Sequence, residues 1–499
     1  MQLCELVKYC PVVEVIGSLD HEVSDLFYDS RQAMAGGLFF ALSGLQADGH
    51  DYVPQAVAGG ASAVVVERQL RLDAGVTQIV VADSRRAMAT MAAAFFGFPA
   101  RRLLTVGVTG TNGKTTMTYL VEALLRGKGY RPAVVGTISN RMEGFCEASS
   151  HTTPESLDLQ RLLSRFLDLG ADALVIEVSS HALQQGRVLG LEFAVGVFTN
   201  LTPEHLDYHG EMEAYFAAKQ RLFMGAEYRC AHAVINTEHA YGRELAALRP
   251  EAFTVAISAV AQIQVRDFEQ DLAGLRARLM TPAGELVLNS KLVGRFNLEN
   301  LCCAVGVGLA LEMAPDAITA ALSAVTSVPG RLERVDNELG ALIVVDYAHT
   351  GDALEKALEA VSALHPARII TLFGCGGDRD TRKRPLMGAI ATRYSWLTVV
   401  TADNPRTEDP KRILEQICAG IQEQGGLVRW DGAPGDGQRK GYVVIEERRE
   451  AIRFAVAQLQ PGDLLLVAGK GHEDYQIIGR QKFHFDDREE LRNALEAQR

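Results

Sequence analysis

The stretch Leu103 to Met117, LLTVGVTGTNGKTTM, decides the fold of the central part of this chain. Its apolar run Leu103–Val108 predicts a buried strand, the next five residues predict a turn, and Lys114 opens a helical pattern. A strand, a glycine loop and a helix start in this order bind phosphate through backbone N–H groups and the positive end of the helix. The stretch therefore predicts an ATP-phosphate site formed by Gly110, Thr111, Asn112, Gly113, Lys114, Thr115 and Thr116.

Two side chains of this loop have a predicted chemical role. Lys114 would place a positive charge on the β- and γ-phosphates, and the Thr115 hydroxyl would ligate Mg²⁺. The usual phosphate-loop pattern has a glycine where this chain has Val108. An ordinary strand, turn and helix is therefore the alternative interpretation of this stretch.

The fold predicted around this loop is α/β in three domains. Strands and helices alternate over 99–330 and predict a parallel sheet, with Pro99 and Pro329 near its boundaries. Residues 1–98 predict a small N-terminal α/β domain, residues 99–330 a central phosphate-loop ATPase domain, and residues 331–499 a C-terminal Rossmann-like α/β domain. The segment Ile263–Val293 predicts a small antiparallel appendage.

Composition excludes some classes of function. The chain of 499 residues has 47% hydrophobic and 22% charged residues, which is ordinary for a globular protein. A net charge of -12 argues against nucleic acid as a partner. The eight cysteines form no C-x-x-C pair, and no stretch predicts a signal peptide or a membrane span. We therefore expect a cytoplasmic enzyme.

Polar residues follow the predicted central strands. Glu177, Ser179 and His181 follow one strand and Asn200 follows another, and ligands gather at such carboxyl ends. Glu177 is well placed as a second Mg²⁺ ligand, because a lone buried carboxylate is costly without a cation. His205, Asp207 and His209 suggest either a metal cluster or a solvated loop. Lysines such as Lys219 on amphipathic helices usually face solvent.

The motifs GTNGKTT, HTTP, EVSSHAL, EHLDYHG, PGRLE, DYAHT, GCGGDRD, DNPRTEDP and AGKGHEDYQ, in this order from Tyr28 to Glu473, resemble those of the Mur ligase family. The resemblance implies an ATP-dependent amide ligase of peptidoglycan synthesis. ATP would phosphorylate the D-Glu γ-carboxylate of UDP-N-acetylmuramoyl-L-Ala-D-Glu. The amine of an incoming amino acid would then attack the acyl phosphate.

The resemblance also implies site residues. Thr115 and Glu177 would hold one Mg²⁺, His205 would help to hold a second, and Lys219 would be carbamylated and support the metal site. Lys114, Glu177, His205 and Lys219 form the implied catalytic set. The residues implied for the UDP-sugar substrate are Tyr28, Ser30, Leu45, Gln46, Ala47, His151, Thr152, Thr153, Ser179, Gln185 and Arg187. Leu45 stands where His is common in the family, and His151 where Asn is frequent.

The C-terminal motifs imply the amino acid. The segment DNPR resembles the motif associated with meso-diaminopimelate, whose distal carboxylate would pair with the planar guanidinium of Arg406. Lysine lacks that carboxylate and would leave Arg406 unpaired. The full implied set is Arg379, Asp403, Asn404, Pro405, Arg406, Gly469 and Glu473.

Other functions remain open at this point. A lysine-adding ligase of the same family would share the fold and mechanism. A ligase similar to folylpolyglutamate synthase would share the phosphate loop and metal residues, but the DNPR and GKGHEDYQ motifs argue against it. A phosphate-loop NTPase switch would hydrolyse ATP without either substrate, and a nucleotide-binding scaffold would not turn over.

Overall fold

The computed structural model describes residues 1–44, 47–73, 75–225, 227–425, 428–430 and 440–498. The chain divides into two compact units. The first contains Met1–Gln264, Thr281–Gly284 and Asn300–Ala321, and the second contains Val265–Met280, Glu285–Glu299 and Leu322–Arg499. The α/β fold class is confirmed, whereas the domain boundaries at 98/99 and 330/331 stay a prediction.

The N-terminal part of the first unit is a five-stranded sheet. Its strands lie in the order Val12–Ile16, Thr77–Val81, Ala61–Val66, Gly37–Phe40 and Leu26–Phe27. All neighbours are parallel except the first pair, which is antiparallel. The helices are Leu3–Leu6, Val53–Ala58 and Ser84–Phe95, the last capped by the side chain of Asp83.

The central sheet of the first unit surrounds the phosphate-loop strand. Its strands lie in the order Phe253–Ala256, Arg229–Asn236, Glu192–Phe198, Leu104–Thr109, Ala173–Glu177, Pro132–Val135, Ser139–Met142 and Phe145–Ala148. The first six are parallel, as predicted, and are buried among apolar side chains. The antiparallel pair over 139–148 was not predicted.

Helices connect these strands. They are Lys114–Gly127, Ser156–Asp168, Ser180–Gln184, Leu206–His209, Met212–Gln220 and Ala240–Leu248, and later in the chain Arg295–Ala310 and Pro315–Ser323. The segment expected to be an antiparallel appendage contains the strands Ile263–Asp271, Gly274–Thr281 and Gly284–Ser290. The first of these is not separate from the central sheet, because Ile263 and Gln264 pair in parallel with Val255 and Ala256. In the described residues, no helix has both the length and the apolar character needed to cross a membrane.

The second unit contains a mostly parallel sheet. Its strands lie in the order Glu333–Val335, Leu342–Asp346, Leu464–Ala468, Ile369–Phe373, Leu397–Val400, Gly441–Val444 and Val428–Arg429, and only the first pair is antiparallel. The helices are Gly351–Ser362, Lys383–Tyr394, Pro410–Glu423, Arg448–Ala457 and Asp487–Glu496. A separate hairpin pairs Tyr475–Ile478 with Gln481–His484. This mostly parallel sheet with its helices agrees with the α/β fold predicted for residues 331–499.

Candidate active site

The phosphate loop has the predicted geometry. The strand Leu104–Thr109 leads into a loop, and the helix starts at Lys114 after Gly113 at φ 88°. A Cβ atom at Gly110 would lie 1.9 Å from Thr199 Oγ1, and one at Gly113 would lie 2.4 Å from Asn300 Oδ1. Both glycines are therefore required by close neighbours as well as by their positive φ angles.

The segment after a neighbouring strand holds this loop in shape. Asn200 accepts hydrogen bonds from Thr111 N through its carbonyl and from Asn112 N through Oδ1, both at 2.9 Å. Thr199 Oγ1 donates to Asn112 O at 2.6 Å. The loop is thus fixed by its own chain, and the first-turn N–H groups of the helix have no intrahelical acceptors. These groups suit a phosphate anion.

Two lysines meet at one carbonyl oxygen of the loop. Lys114 Nζ and Lys219 Nζ each donate to Gly110 O at 2.9 Å, and Lys114 Nζ also donates to Thr111 O at 2.8 Å. Lys219 is only 1% exposed, so the expectation that a helical lysine faces solvent is wrong here. Burial, followed by the charge of Lys114, lowers the pKa of Lys219 well below its usual value of 10.5. This shift favours the neutral amine of Lys219 over its ammonium form.

Glu177 lies beside the phosphate loop with a buried carboxylate. It pairs with Val108 in the adjacent parallel strand and is 1% exposed. Its Oε1 accepts from Thr137 N and its Oε2 from Thr137 Oγ1, both at 3.0 Å, and it forms no ion pair within the described part of the chain. A buried carboxylate without a counter-ion fits a bound cation. Thr137 was not predicted, since a threonine after a strand carries no recognisable signal.

The histidine-rich segment does not form a metal cluster by itself. In the described residues, no group of three or more His, Cys, Asp and Glu side chains has the arrangement of a metal site, and the role of His205 as a metal ligand stays a prediction. The rings pack instead: His181 lies 4.9 Å from His205 and 5.4 Å from His209 between centroids, and His209 lies 5.0 Å from Tyr215. Burial and the charge of His205 lower the pKa of His181 to about 4. The His205 side chain is 45% exposed, so a metal ion can reach it as a single ligand. Its backbone lies in the left-handed region at φ 57°.

Several residues expected at the UDP-sugar are brought together. Thr153 Oγ1 donates to Glu177 O at 2.7 Å and accepts from Ser179 N at 3.1 Å. Arg187 donates to Thr153 O at 2.9 Å and to Gln185 Oε1 at 2.8 Å. This network connects four of the predicted residues to the strand end that carries Glu177.

The remaining residues of that set differ in their surroundings. Thr152 Oγ1 lies 3.0 Å from Thr137 Oγ1, and Tyr28 OH donates to Asp158 Oδ2 at 2.5 Å. Ser30 Oγ donates to Gln55 Oε1, and His151 is exposed. Ala47 O accepts from Gly44 N at 3.0 Å. Leu45 and Gln46 lie outside the described residues.

The residues predicted to bind the amino acid converge in the second unit. Asn404 Nδ2 donates to Glu473 Oε2 at 3.0 Å, and Asp403 is 7% exposed. Gly469 has φ 116°, and a Cβ there would lie 3.5 Å from Asp403 Oδ2. Burial, then the charge of Asp403, raises the pKa of Glu473. A buried and a half-buried carboxylate this close together favour a cationic ligand.

Arg406 belongs to the same cluster, and most of its guanidinium N–H groups are not bonded to the described residues. Its Nη1 donates to Gly377 O at 2.8 Å, and its other guanidinium N–H groups make no hydrogen bond to any residue that the structure describes. Arg406 has φ 52°, a costly conformation for a residue with a side chain. A Cβ at Gly376 would lie 2.9 Å from Arg406 Nη1 and 3.9 Å from Arg379 Cγ, so both arginines adjoin this glycine. Pro405 also approaches the glycine loop, because its carbonyl would be 1.9 Å from a Cβ at Gly377.

Two buried arginines that the sequence reasoning missed hold this cluster. Arg384, fully buried, binds both oxygens of Glu408 and donates to Gly376 O at 3.1 Å. Arg448 donates twice to Asp487 at 2.7 Å, and to Ala468 O at 3.1 Å. Neither arginine could be distinguished in the sequence from the many arginines of exposed helix faces.

Three family models match the chain: "Mur ligase family, catalytic domain" over residues 22–96, "Mur ligase middle domain" over 108–308, and "Mur ligase, glutamate ligase domain" over 330–471. The chain belongs to the Mur ligase family. The family resemblance drawn from its motifs is therefore confirmed, and the chain is an enzyme of the ATP-dependent ligase class.

Individual proteins of this family are similar over the whole chain. The UDP-N-acetylmuramoyl-L-alanyl-D-glutamate--2,6-diaminopimelate ligases of Geobacter metallireducens and Geobacter sulfurreducens are 50% and 48% identical. The first alignment covers 99% of this chain and 98% of the relative, and the second covers 98% of each. A solved structure of a ligase with the same name has a TM-score of 0.73 and 33% identity, covering 100% of this chain and 99% of that one.

Proposed function

We propose that this Mur ligase adds meso-2,6-diaminopimelate to the γ-carboxylate of D-Glu in UDP-N-acetylmuramoyl-L-Ala-D-Glu, in the synthesis of peptidoglycan precursors. The observation that carries the proposal is the convergence of Arg406 with the carboxylates of Asp403 and Glu473. Full-length relatives that bear the name of this activity support it.

ATP activates the acceptor carboxylate in this proposal. A carboxylate is a poor electrophile until phosphorylation turns one of its oxygens into part of a leaving group. Lys114 and the start of its helix bind the phosphates and offset the repulsion between the two anions. Thr115 and Glu177 would hold one Mg²⁺ and His205 would help to hold a second, and these ions would supply further positive charge at the phosphates. The buried carboxylate of Glu177 fits such an ion.

Lys219 is the residue that we expect to be carbamylated. Its neutral Nζ attacks the carbon of CO₂, loses a proton and becomes a carbamate anion. The lowered pKa of Lys219 favours this reaction, because only the unprotonated amine is a nucleophile. The product would be an anion beside the phosphate loop, where it can support the metal site.

The amino acid is recognised by its distal zwitterionic centre. Arg406 would pair with the distal carboxylate, while Asp403 and Glu473 would accept from the distal ammonium and Asn404 would hold Glu473 through its Nδ2 group. The amine at the other end would attack the acyl phosphate, form the amide and release phosphate. Arg379 and the backbone at Gly469 would complete the amino-acid site, which also includes Pro405.

The nucleotide-sugar is bound by the N-terminal and central residues in this proposal. They are Tyr28, Ser30, Leu45, Gln46, Ala47, His151, Thr152, Thr153, Ser179, Gln185 and Arg187. We place the reaction in the cytoplasm, where ATP is available as co-substrate, and propose no nucleic-acid partner. The acidic net charge of -12 supports the latter point.

Phosphate release from ATP tests the proposal, with the nucleotide-linked dipeptide and either meso-diaminopimelate, L-lysine or no amino acid. We expect release to require diaminopimelate. Arg406→Ala should lower kcat/KM for diaminopimelate about 100-fold, because the distal carboxylate loses its partner. Arg382→Ala is the matched control, since the Arg382 side chain is 89% exposed and, among the residues that the structure describes, pairs only with Asp380.

Each alternative has its own result in this assay. Equal or greater release with lysine would establish the lysine-adding ligase and overturn the role of Arg406. Release without either substrate would establish an NTPase. An unchanged kcat/KM in Arg406→Ala would show that Arg406 does not recognise the distal carboxylate.

A further inference from the structure

Lys470 is a buried lysine that the mechanism above does not use. It has no exposed surface, and it follows the strand Leu464–Ala468 in the motif that also contains Gly469 and Glu473. Its Nζ donates to Tyr475 O at 2.6 Å and to Asn404 Oδ1 at 3.1 Å. An ammonium group that is completely removed from water is costly unless its donors are satisfied and its charge is balanced.

The balancing charge is Asp403. Lys470 Nζ lies 3.2 Å from Asp403 Oδ1, an ion pair without the alignment of a hydrogen bond, and this buried oxygen has no other hydrogen-bond partner among the described residues. Asp403 Oδ1 thus keeps an accepting position. Lys470 therefore balances the charge of Asp403.

Lys470 also determines which way the amide of Asn404 points. Asn404 Oδ1 accepts from Lys470 Nζ and from Ile477 N, the latter at 2.9 Å. Both neighbours are donors only, so the oxygen must face them and the Nδ2 group must face the other way. There it donates to Glu473 Oε2 at 3.0 Å. The buried lysine thereby determines the orientation of the amide that donates to Glu473, a carboxylate of the amino-acid site.

We propose that Lys470 is a positioning residue for the amino-acid substrate, which fixes the amide of Asn404 and through it the carboxylate of Glu473. This inference rests on the proposed function, because it assigns these carboxylates to the ammonium of diaminopimelate. Lys470 itself does not touch the substrate. Its contribution is to hold Asn404 and Glu473 in one arrangement before the substrate binds, which lowers the cost of ordering them.

Lys470→Met tests this role, since methionine keeps the length of the side chain and removes its donors and charge. We expect KM for meso-diaminopimelate to rise about 10- to 100-fold, the range for loss of a charge-assisted hydrogen bond, while kcat and KM for ATP change less than about 3-fold. Lys482→Met is the matched control. Lys482 is an exposed lysine whose Nζ lies 3.6 Å from the centre of the Tyr475 ring, and its replacement should leave all constants unchanged.

A double-mutant cycle separates positioning from a general structural effect. If Lys470 acts through Asn404, then Lys470→Met in an Asn404→Ala background should raise KM for diaminopimelate less than about 3-fold further. Fully multiplicative effects of the two substitutions would overturn the proposal. An equal fall of kcat and rise of KM for ATP would also overturn it, since both would indicate general damage.

A second variant keeps the test valid if Lys470→Met does not fold. Asn404→Asp retains an oxygen towards Lys470 but places an oxygen where Nδ2 donates to Glu473. KM for diaminopimelate should rise about 10-fold or more, and an unchanged KM would contradict the role of the amide. Failure of the proposed function is distinguishable, because the unmodified enzyme would then not use diaminopimelate. If it does, and Lys470→Met behaves like Lys482→Met, only this inference fails.

Discussion

The phosphate loop and the amino-acid cluster both follow parallel strands, yet they are built in different ways. In the phosphate loop, most of the hydrogen bonds involve backbone atoms. Asn200 accepts from the N–H groups of Thr111 and Asn112, and two lysines donate to Gly110 O. In the amino-acid cluster, charged side chains hold one another, as in the Arg448–Asp487 pair and the contacts of Lys470.

This difference follows from the ligands. A phosphate is a symmetrical anion that any ring of N–H groups can bind, so a short local motif is sufficient. A zwitterionic amino acid needs separate acceptors and donors at fixed positions, so its site requires side chains from several loops and a buried framework that orients them. A substitution in the phosphate loop should therefore act directly on phosphate binding. A substitution among the buried charged side chains should act on the amino-acid cluster indirectly, by changing how its side chains are oriented.

The largest effect is expected at the phosphate loop. Lys114→Met should lower kcat about 10⁴-fold, because the positive charge on the transferred phosphate is lost. The measurement is substrate-dependent phosphate release, with the exposed Lys356→Met as control. A loss below about 10-fold would show that backbone groups alone supply the stabilisation.

The next largest effect is expected in the amino-acid cluster, where it tests how much a buried ion pair contributes to stability. Asp487→Asn should reduce the free energy of unfolding by about 3–5 kcal/mol, since it leaves the guanidinium of Arg448 buried without a counter-ion. Urea unfolding measures this change. The control is Asp380→Asn in the exposed pair with Arg382, for which no measurable loss is expected. Similar stabilities of both variants would contradict the importance of buried charge.

A third effect tests whether the loop glycine is required by its neighbours. Gly110→Ala should lower kcat/KM for ATP about 100-fold, because the added Cβ must displace Thr199 and shift the loop. Gly129→Ala also places alanine at a positive φ angle but has open space around it. If both variants lose activity equally, backbone strain rather than close packing explains the requirement for glycine.

The smallest effect concerns Lys219 and is a gain of stability. Its folded-state pKa lies below its unfolded value, so protonation of Lys219 favours the unfolded chain. In CO₂-free buffer, Lys219→Met should be more stable than the unmodified protein at pH 7 to 8, and the gain should vanish as the pH rises to about 10.4. Urea unfolding against pH measures it, with the exposed Lys411→Met as control. A gain independent of pH would contradict this explanation.

Much of the first region could be predicted from the sequence. The apolar run before Gly110 and the helical pattern from Lys114 identify the loop, because both signals are local in the chain. The predicted strand Leu103–Val108 was found within one residue, as Leu104–Thr109, for the same reason. The short strands at 139–148 were not predicted, since the bend before them includes contacts with a residue distant in the chain, such as those of Thr137 with Glu177.

The sequence by itself determined the order of strands and helices, the phosphate loop and the family, because these depend on local patterns and motifs. Only the tertiary structure decided that Lys219 is buried against Gly110 and that Lys470 orients Asn404. It also showed that Thr137 binds Glu177. Such roles depend on burial and on partners distant in the chain. A lysine or a threonine has the same letter on a solvated surface and in a buried site, and only its surroundings set its charge and its partner.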